Sequence, residues 1–91
     1  MAQVIDNPDR HRFELDVGGT LAIAEYREER GALVLTHTEV PRELSGQGIG
    51  SKLAAGVFDA VRASGRRVVP RCPFMAAYVE RHPEYADLVA A

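Results

Sequence analysis

The 91-residue sequence contains no tryptophan and a single cysteine, Cys72. One thiol cannot close an intramolecular disulfide, and it excludes every zinc pattern built on two or more cysteines. Long apolar runs are also missing. The longest, residues 74–79, falls far short of the roughly 18 residues that a membrane-spanning helix needs. Charge of one sign is scarce: 11 Lys+Arg against 13 Asp+Glu leave a net charge of −2 and a pI near 5.9. The basic footprint of a nucleic-acid binder is therefore absent. The first residues, Met-Ala-Gln-Val-Ile-Asp-Asn-Pro, have neither the basic start nor the apolar stretch of a secretory signal, so the expected compartment is the cytoplasm. No internal repeat, low-complexity tract or linker divides the chain.

What is present is the composition of an ordinary globular domain, 46% apolar and 26% charged, at a length that suits one domain. Residues 12–17 alternate, with Phe13, Leu15 and Val17 facing one way and Glu14 and Asp16 the other, which is the pattern of a half-buried strand. Gly18-Gly19 is a two-residue hairpin signal, and 20–27 answers as a second strand. A polar turn, 28–31, leads to a third strand, 32–40, with Leu33 and Leu35 on one face; Pro41 closes it. After a loop at 42–47, Ile49, Leu53, Val57, Ala60 and Val61 recur at helical spacing over 48–64, and Gly65 stands where a left-handed cap belongs. A short apolar strand follows at 68–71. Pro73 suits the first position of a second helix through about Arg81, and a last helical turn is expected around Tyr85, Leu88 and Val89. The order is β-β-β-α-β-α: an α+β fold in which an antiparallel meander leads into a β-α-β crossover with parallel strands. Residues 1–11 are expected to be irregular.

The segment between the third strand and the first helix carries the chemistry. Gly46, Gly48 and Gly50 alternate where a strand gives way to a helix. Free amides in such a loop form an anion-binding concavity, and the helix N-terminus adds partial positive charge. The Walker phosphate loop does not fit, because Ser51 precedes Lys52 and Leu53 follows it. The dinucleotide fingerprint does not fit either: the position five after Gly46 is Ser51, and five after Gly48 is Leu53. A tight structural connection is the competing reading of the same glycines.

Gly-Gln-Gly-Ile-Gly at 46–50 with Leu53 resembles the acetyl-CoA pyrophosphate loop of the GNAT superfamily of N-acetyltransferases. The family pattern Arg/Gln-x-x-Gly-x-Gly/Ala maps onto 45–50, with Ser45 in place of the long polar residue. His37-Thr38-Glu39-Val40-Pro41, Arg71-Cys72-Pro73-Phe74 and His82-Pro83-Glu84-Tyr85 resemble a compact subgroup without the N-terminal helices of longer members. The resemblance implies a mixed sheet whose parallel strands splay apart, making residues 1–91 one acetyl-CoA-binding domain. It implies coenzyme contacts from Thr38, Val40, Ser45, Gly46, Gln47, Gly48, Ile49, Gly50 and Ser51. The expected activity is transfer of acetyl from acetyl-CoA to an amine by direct attack between the third and fourth strands, with no metal. The alternatives are a non-catalytic or weakly active acetyl-CoA/CoA-binding module, covalent acetyl transfer through Cys72, and a protein-interaction domain that keeps only the fold. The expected partners are this small-molecule cofactor and an unidentified amine, with neither nucleic acid nor membrane, in a monomer or weak dimer.

Four side chains are candidates for the chemistry. A lysine-like amine of pKa about 10.4 is neutral only about once in 2,500 molecules at pH 7, so a general base is useful. His37 and Glu39 share a face of the third strand by period-two alternation and could take that proton; a solvated sheet face carries the same residues. Cys72, between the fourth strand and a helix start, is either a small buried apolar residue or a stabilised thiolate able to accept acetyl covalently. Tyr78 is either a proton donor to the departing thiolate or a core aromatic paired with Phe74. Arg62, Arg66, Arg67 and Arg71 could meet a cofactor phosphate or an acidic partner, and read equally as a solvated face.

Overall fold

Alternating strands and tight turns build one sheet. In the computed structural model, which describes residues 3–90, the strands are β1 (Val4–Asn7), β2 (Arg12–Val17), β3 (Thr20–Glu29), β4 (Ala32–Glu39) and β5 (Arg67–Pro70). They lie side by side in chain order, antiparallel except for the parallel β4–β5 pair. Gly18 and Gly19, at φ +61° and +92°, set Val17 opposite Thr20, as an Asp16 carboxylate oxygen accepts the Gly19 amide at 2.7 Å. The β3–β4 turn is shorter than expected, only Arg30-Gly31, because β3 runs on through Glu29.

Between β4 and β5 the chain forms α1 (Ile49–Ser64); after β5 it forms α2 (Pro73–Arg81). Both helices begin and end close to where capping residues predict. Gly48 and Gly65 flank α1 in the left-handed conformation, and Pro73 opens α2. The buried stripe of α1 (Ile49, Leu53, Ala54, Val57, Phe58 and Val61) packs on Phe13, Leu15, Ala22, Ala24, Leu33, Leu35 and Val68. Ala22 and Ala24 are short, so the helix crosses close to the sheet centre. Met75 and Tyr78 of α2 join this same cluster, which places both helices on one side of the sheet. Arg12 and Glu14 lie on the other side, where Glu14 accepts from the Arg12 guanidinium at 2.7 Å and from Asn7 at 3.1 Å. The Arg12 hydrogen bond, then that of Asn7, holds the Glu14 carboxyl below its ordinary value against a small opposing effect of burial.

The expectation that 1–11 is irregular is corrected within the described residues. Val4–Asn7 is a strand paired to β2, followed by a 3-10 turn at Pro8–Arg10. Val4 and Ile5 are too few apolar residues to show a period, and Pro8 ends the strand at once. Two tertiary contacts supply what the local sequence lacks: Val4 lies against Gly56 of α1, and the Tyr26 hydroxyl donates to Asp6 at 2.5 Å. Burial, then that hydrogen bond, pushes the Tyr26 phenol strongly up. The outer edge of the sheet is thus β1, not the strand at 12–17. At the opposite edge, Val89 bridges Val68, and the Ala90 amide donates to the Val68 carbonyl at 2.8 Å.

Gly56 tests the docking of β1. A Cβ there would sit 2.2 Å from Val4 Cγ2 and 2.5 Å from Val4 Cβ. Helix propensity alone favours Gly56→Ala by about 1 kcal/mol, whereas overpacking costs about 1–3 kcal/mol. Since the clash reaches the Val4 Cβ, overpacking wins. Chemical denaturation is expected to show net destabilisation of Gly56→Ala, relieved in the Gly56→Ala/Val4→Gly double variant, which removes the opposing Cβ. Stabilisation by Gly56→Ala alone would contradict this packing.

Candidate functional site

The site begins where two strands stop pairing. β4 and β5 are in register from Ala32↔Arg67 to Leu35↔Pro70. The amides of Arg71 and Cys72 then both donate to the Leu35 carbonyl, at 3.1 and 2.9 Å, and the chain turns into α2. β4 runs on to Glu39, still paired with β3 but no longer with β5. A V-shaped notch opens between them.

A bulge in β4 decides which side chains enter it. Leu35 pairs with Tyr26 and His37 with Glu25, so Thr36 is one residue too many. Strict alternation would continue Leu33 and Leu35 with His37 and Glu39 on the core side. The extra residue reverses the phase. His37 and Glu39 turn outward, with side chains 55% and 64% exposed and Nε2 3.4 Å from Oε1. They are together, as expected, but on the helix-free side. Thr38 instead turns inward and its Oγ1 lies 3.2 Å from Cys72 Sγ.

Cys72 is buried and caps the N-terminus of α2, without a formal side-chain cap bond. Burial pushes its thiol up. The Thr38 hydroxyl, then the amides of Met75, Phe74 and Thr38, outweigh that and hold the thiol below its ordinary value. The Thr38 amide is one of the groups turned toward the sulfur across the notch. Tyr78 belongs to a different cluster, an aromatic stack with Phe58, Tyr85 and His82, whose ring centroid lies 4.0 Å from its own. Burial, reinforced by Glu84 and Asp59, pushes its phenol up.

The glycine loop borders the notch. A 3-10 turn at Arg42–Leu44 uses the amides of Leu44 and Ser45, and Lys52 donates to the Gly48 carbonyl at 3.1 Å. Among the described residues, no hydrogen bond takes up the intervening amides of 46–51. Gly46 and Gly48 have φ of +79° and +71°, and a Cβ on either would meet nothing within 4 Å. The backbone therefore coils left-handed over open space, with a row of unspent N–H groups at the positive end of a 16-residue helix. That arrangement fits an anion such as a diphosphate. Ser45, Gln47, Ile49 and Ser51 belong to the same segment; Gln47 Nε2 donates back to the Glu43 carbonyl at 3.4 Å, and Ile49 points into the core. Val40 packs against the core just beyond β4.

The arginine cluster is largely taken up internally. Arg62 holds both Asp87 oxygens at 3.0 Å and the Glu84 carbonyl at 2.8 Å; Arg66 meets Glu28 at 3.1 Å; Arg67 donates to the Asp87 carbonyl at 3.0 Å. The Arg62 and Arg67 contacts fasten the 3-10 turn at Pro83–Leu88 to α1 and β5. Among the described residues no group of three or more His, Cys, Asp or Glu could hold a metal ion, and no helix is long and apolar enough to cross a membrane. Two features of the site escaped the sequence reading. The Thr36 bulge has no signature in the residues themselves. Phe74, expected to pair with Tyr78, instead meets Gly50 at the start of α1 and remains 36% exposed. An aromatic residue immediately after a Cys-Pro helix start was the available signal.

Residues 12–88 match the family described as GCN5-related N-acetyl-transferase. The fold is similar to the solution NMR structure of a GCN5-like candidate N-acetyltransferase from Staphylococcus aureus. The TM-score is 0.73 and the identity 26%, over 98% of this chain and 88% of that one. No curated protein matches the sequence.

The thiol environment has a direct test. Alkylation of Cys72 by iodoacetamide should follow a pH profile whose midpoint lies below that of the same thiol in the denatured protein. Removing the hydroxyl in Thr38→Val leaves burial to dominate and should move that midpoint up. A wild-type midpoint at or above that of the denatured protein, or no movement in the variant, contradicts the assignment.

Proposed function

Since the chain belongs to the GCN5-related N-acetyltransferase family, we propose that it transfers acetyl from acetyl-CoA to an amine by direct attack in the β4–β5 notch. The observation that supports this reading most is the row of open amides at 46–51 leading to the place where β4 and β5 part. Acetyl-CoA supplies an activated thioester, so the protein has to bind, orient and manage one proton.

The amides of 46–51 hold the diphosphate, and Gly46 and Gly48 leave its approach clear of side chains. The Thr38 amide, aimed across the notch, is a donor for the carbonyl oxygen as negative charge develops on it. The outward side of β4 receives the amine. There His37 and Glu39 stand beside each other, exposed, and take the proton that must leave nitrogen before or during attack. The carbon–sulfur bond breaks, and coenzyme A leaves as a thiolate that takes its proton from water. The bulge at Thr36 thereby divides β4 between two tasks, coenzyme on the helix side and acceptor on the open side. Tyr78 is built into the aromatic stack, and the reading requires nothing of it.

A second route is favoured by the placement of Cys72, at the N-terminus of α2 with the Thr38 hydroxyl 3.2 Å from its sulfur. In it, Cys72 Sγ bonds to the acetyl carbon, the carbon–sulfur bond to coenzyme A breaks, and the thiol proton ends on the departing sulfur. The amine nitrogen then bonds to the acetyl carbon, the carbon–Sγ bond breaks, and a proton from the amine returns to Cys72 Sγ.

Three measurements decide. Acetyl-CoA at 100 times its Kd should stabilise the protein by about 2.7 kcal/mol, and Gly48→Val should abolish that gain. Valine at a left-handed position also costs about 1–2 kcal/mol of intrinsic stability, so the ligand-induced increment, and not the melting temperature alone, is the readout. An unchanged increment contradicts the cradle. Free-thiol release with an amine panel separates a transferase from a coenzyme-binding module. Direct attack predicts that Cys72→Ala still turns over; loss of turnover together with an acetyl adduct on the wild-type protein would establish the covalent route instead.

A further inference from the structure

The three loop glycines have two different physical reasons, and the second concerns a residue outside the loop. Gly46 and Gly48 need their left-handed backbone and face open space. Gly50 does not: it is the second helical residue of α1, in ordinary helical conformation. A Cβ there would lie 2.9 Å from Cζ, 3.4 Å from Cε1 and 3.7 Å from Cε2 of Phe74. A side chain at Gly50 would therefore move the tip of an aromatic ring, which one at Gly46 or Gly48 would not do. Phe74 is the second helical residue of α2, two positions after Cys72. Its ring reaches from one helix N-terminus to the other, yet stays 36% exposed. Large exposed apolar side chains are few among the described residues, and the other two, Ile5 and Leu21, are on strands β1 and β3 and not at a helix start.

A ligand that uses the amides of 46–51 at one end and the Thr38–Cys72 notch at the other passes the edge of this ring. We infer that Phe74 is a coenzyme-binding residue. It forms the apolar wall for the pantetheine arm between phosphates and thioester, and Gly50 is the positioning residue that gives the ring its place. The inference rests on the coenzyme reading above and adds that affinity for the arm is set separately from affinity for the phosphates. The arm carries methyl groups and methylenes that gain from covering an exposed ring; a diphosphate gains nothing from it.

The test uses two ligands, acetyl-CoA and 3′-phospho-ADP, the second being coenzyme A without its arm, titrated calorimetrically into the whole protein. Phe74→Ala is expected to weaken acetyl-CoA binding about fivefold, the value of covering roughly a third of a phenyl ring, and to leave 3′-phospho-ADP binding unchanged. Gly50→Ala should displace the ring and weaken acetyl-CoA by a similar factor. In the Phe74→Ala background the same Gly50→Ala change should have no further effect. A purely structural contact would not produce this dependence on the arm. Equal losses for both ligands, no loss for acetyl-CoA, or additive losses in the double variant would each overturn the inference while leaving the coenzyme reading intact. If wild-type protein binds neither ligand, the coenzyme reading falls, and this inference with it.

Discussion

The Leu35 carbonyl is the hinge point of the molecule. It closes the last rung of the β4–β5 ladder and accepts two amides at once, those of Arg71 and Cys72, at 3.1 and 2.9 Å. With that oxygen satisfied, β5 can turn away into α2 without leaving a buried amide orphaned, while β4 continues alongside β3. Parallel strands joined side by side for their whole length would leave no opening. Here the opening is fixed by two hydrogen bonds on one oxygen, and the elements that surround it, the start of α1, the start of α2 and the outer half of β4, are all placed relative to it.

The bulge at Thr36 works with this divergence. A strand presents alternate residues to opposite faces, so a single extra residue exchanges the faces of everything beyond it. Without it, the exposed polar pair His37 and Glu39 would point into an apolar core. With it, Thr38 reaches Cys72 and the pair reaches water. The two helix N-termini bring amides to the same region from the other side, those of α1 open and those of Phe74 and Met75 turned to the Cys72 sulfur. Polar backbone therefore surrounds the notch from several directions, although no charged side chain is buried anywhere in the described core.

Much of this architecture was legible in the residues. Period-two alternation located β2, β3 and β4; 3.6-residue spacing and a terminal glycine located α1; Pro73 marked the first residue of α2. The glycine loop was legible because Gly46 and Gly48 take left-handed conformations that other residues adopt at a cost. What remained hidden depends on long-range contacts. β1 is held by Gly56 and Tyr26, residues 52 and 20 positions from their partners Val4 and Asp6. The bulge follows from the pairing register and not from Thr36 itself. Gly50 looks like its two neighbours in sequence, and only the position of Phe74 reveals its separate role. The arginines, similarly, look alike as a run but divide among specific acceptors once Asp87 and Glu28 are folded against them.

The central claim is that the open amides of the glycine loop and the inward face of β4 hold one ligand between them. Amide-resolved NMR titration of the whole protein with acetyl-CoA tests it most directly. The account expects the largest shifts at residues 46–51, at Thr38 and at Cys72, saturating together with one Kd. Shifts confined to other surfaces, or loop and β4 amides that respond at different concentrations, would contradict it.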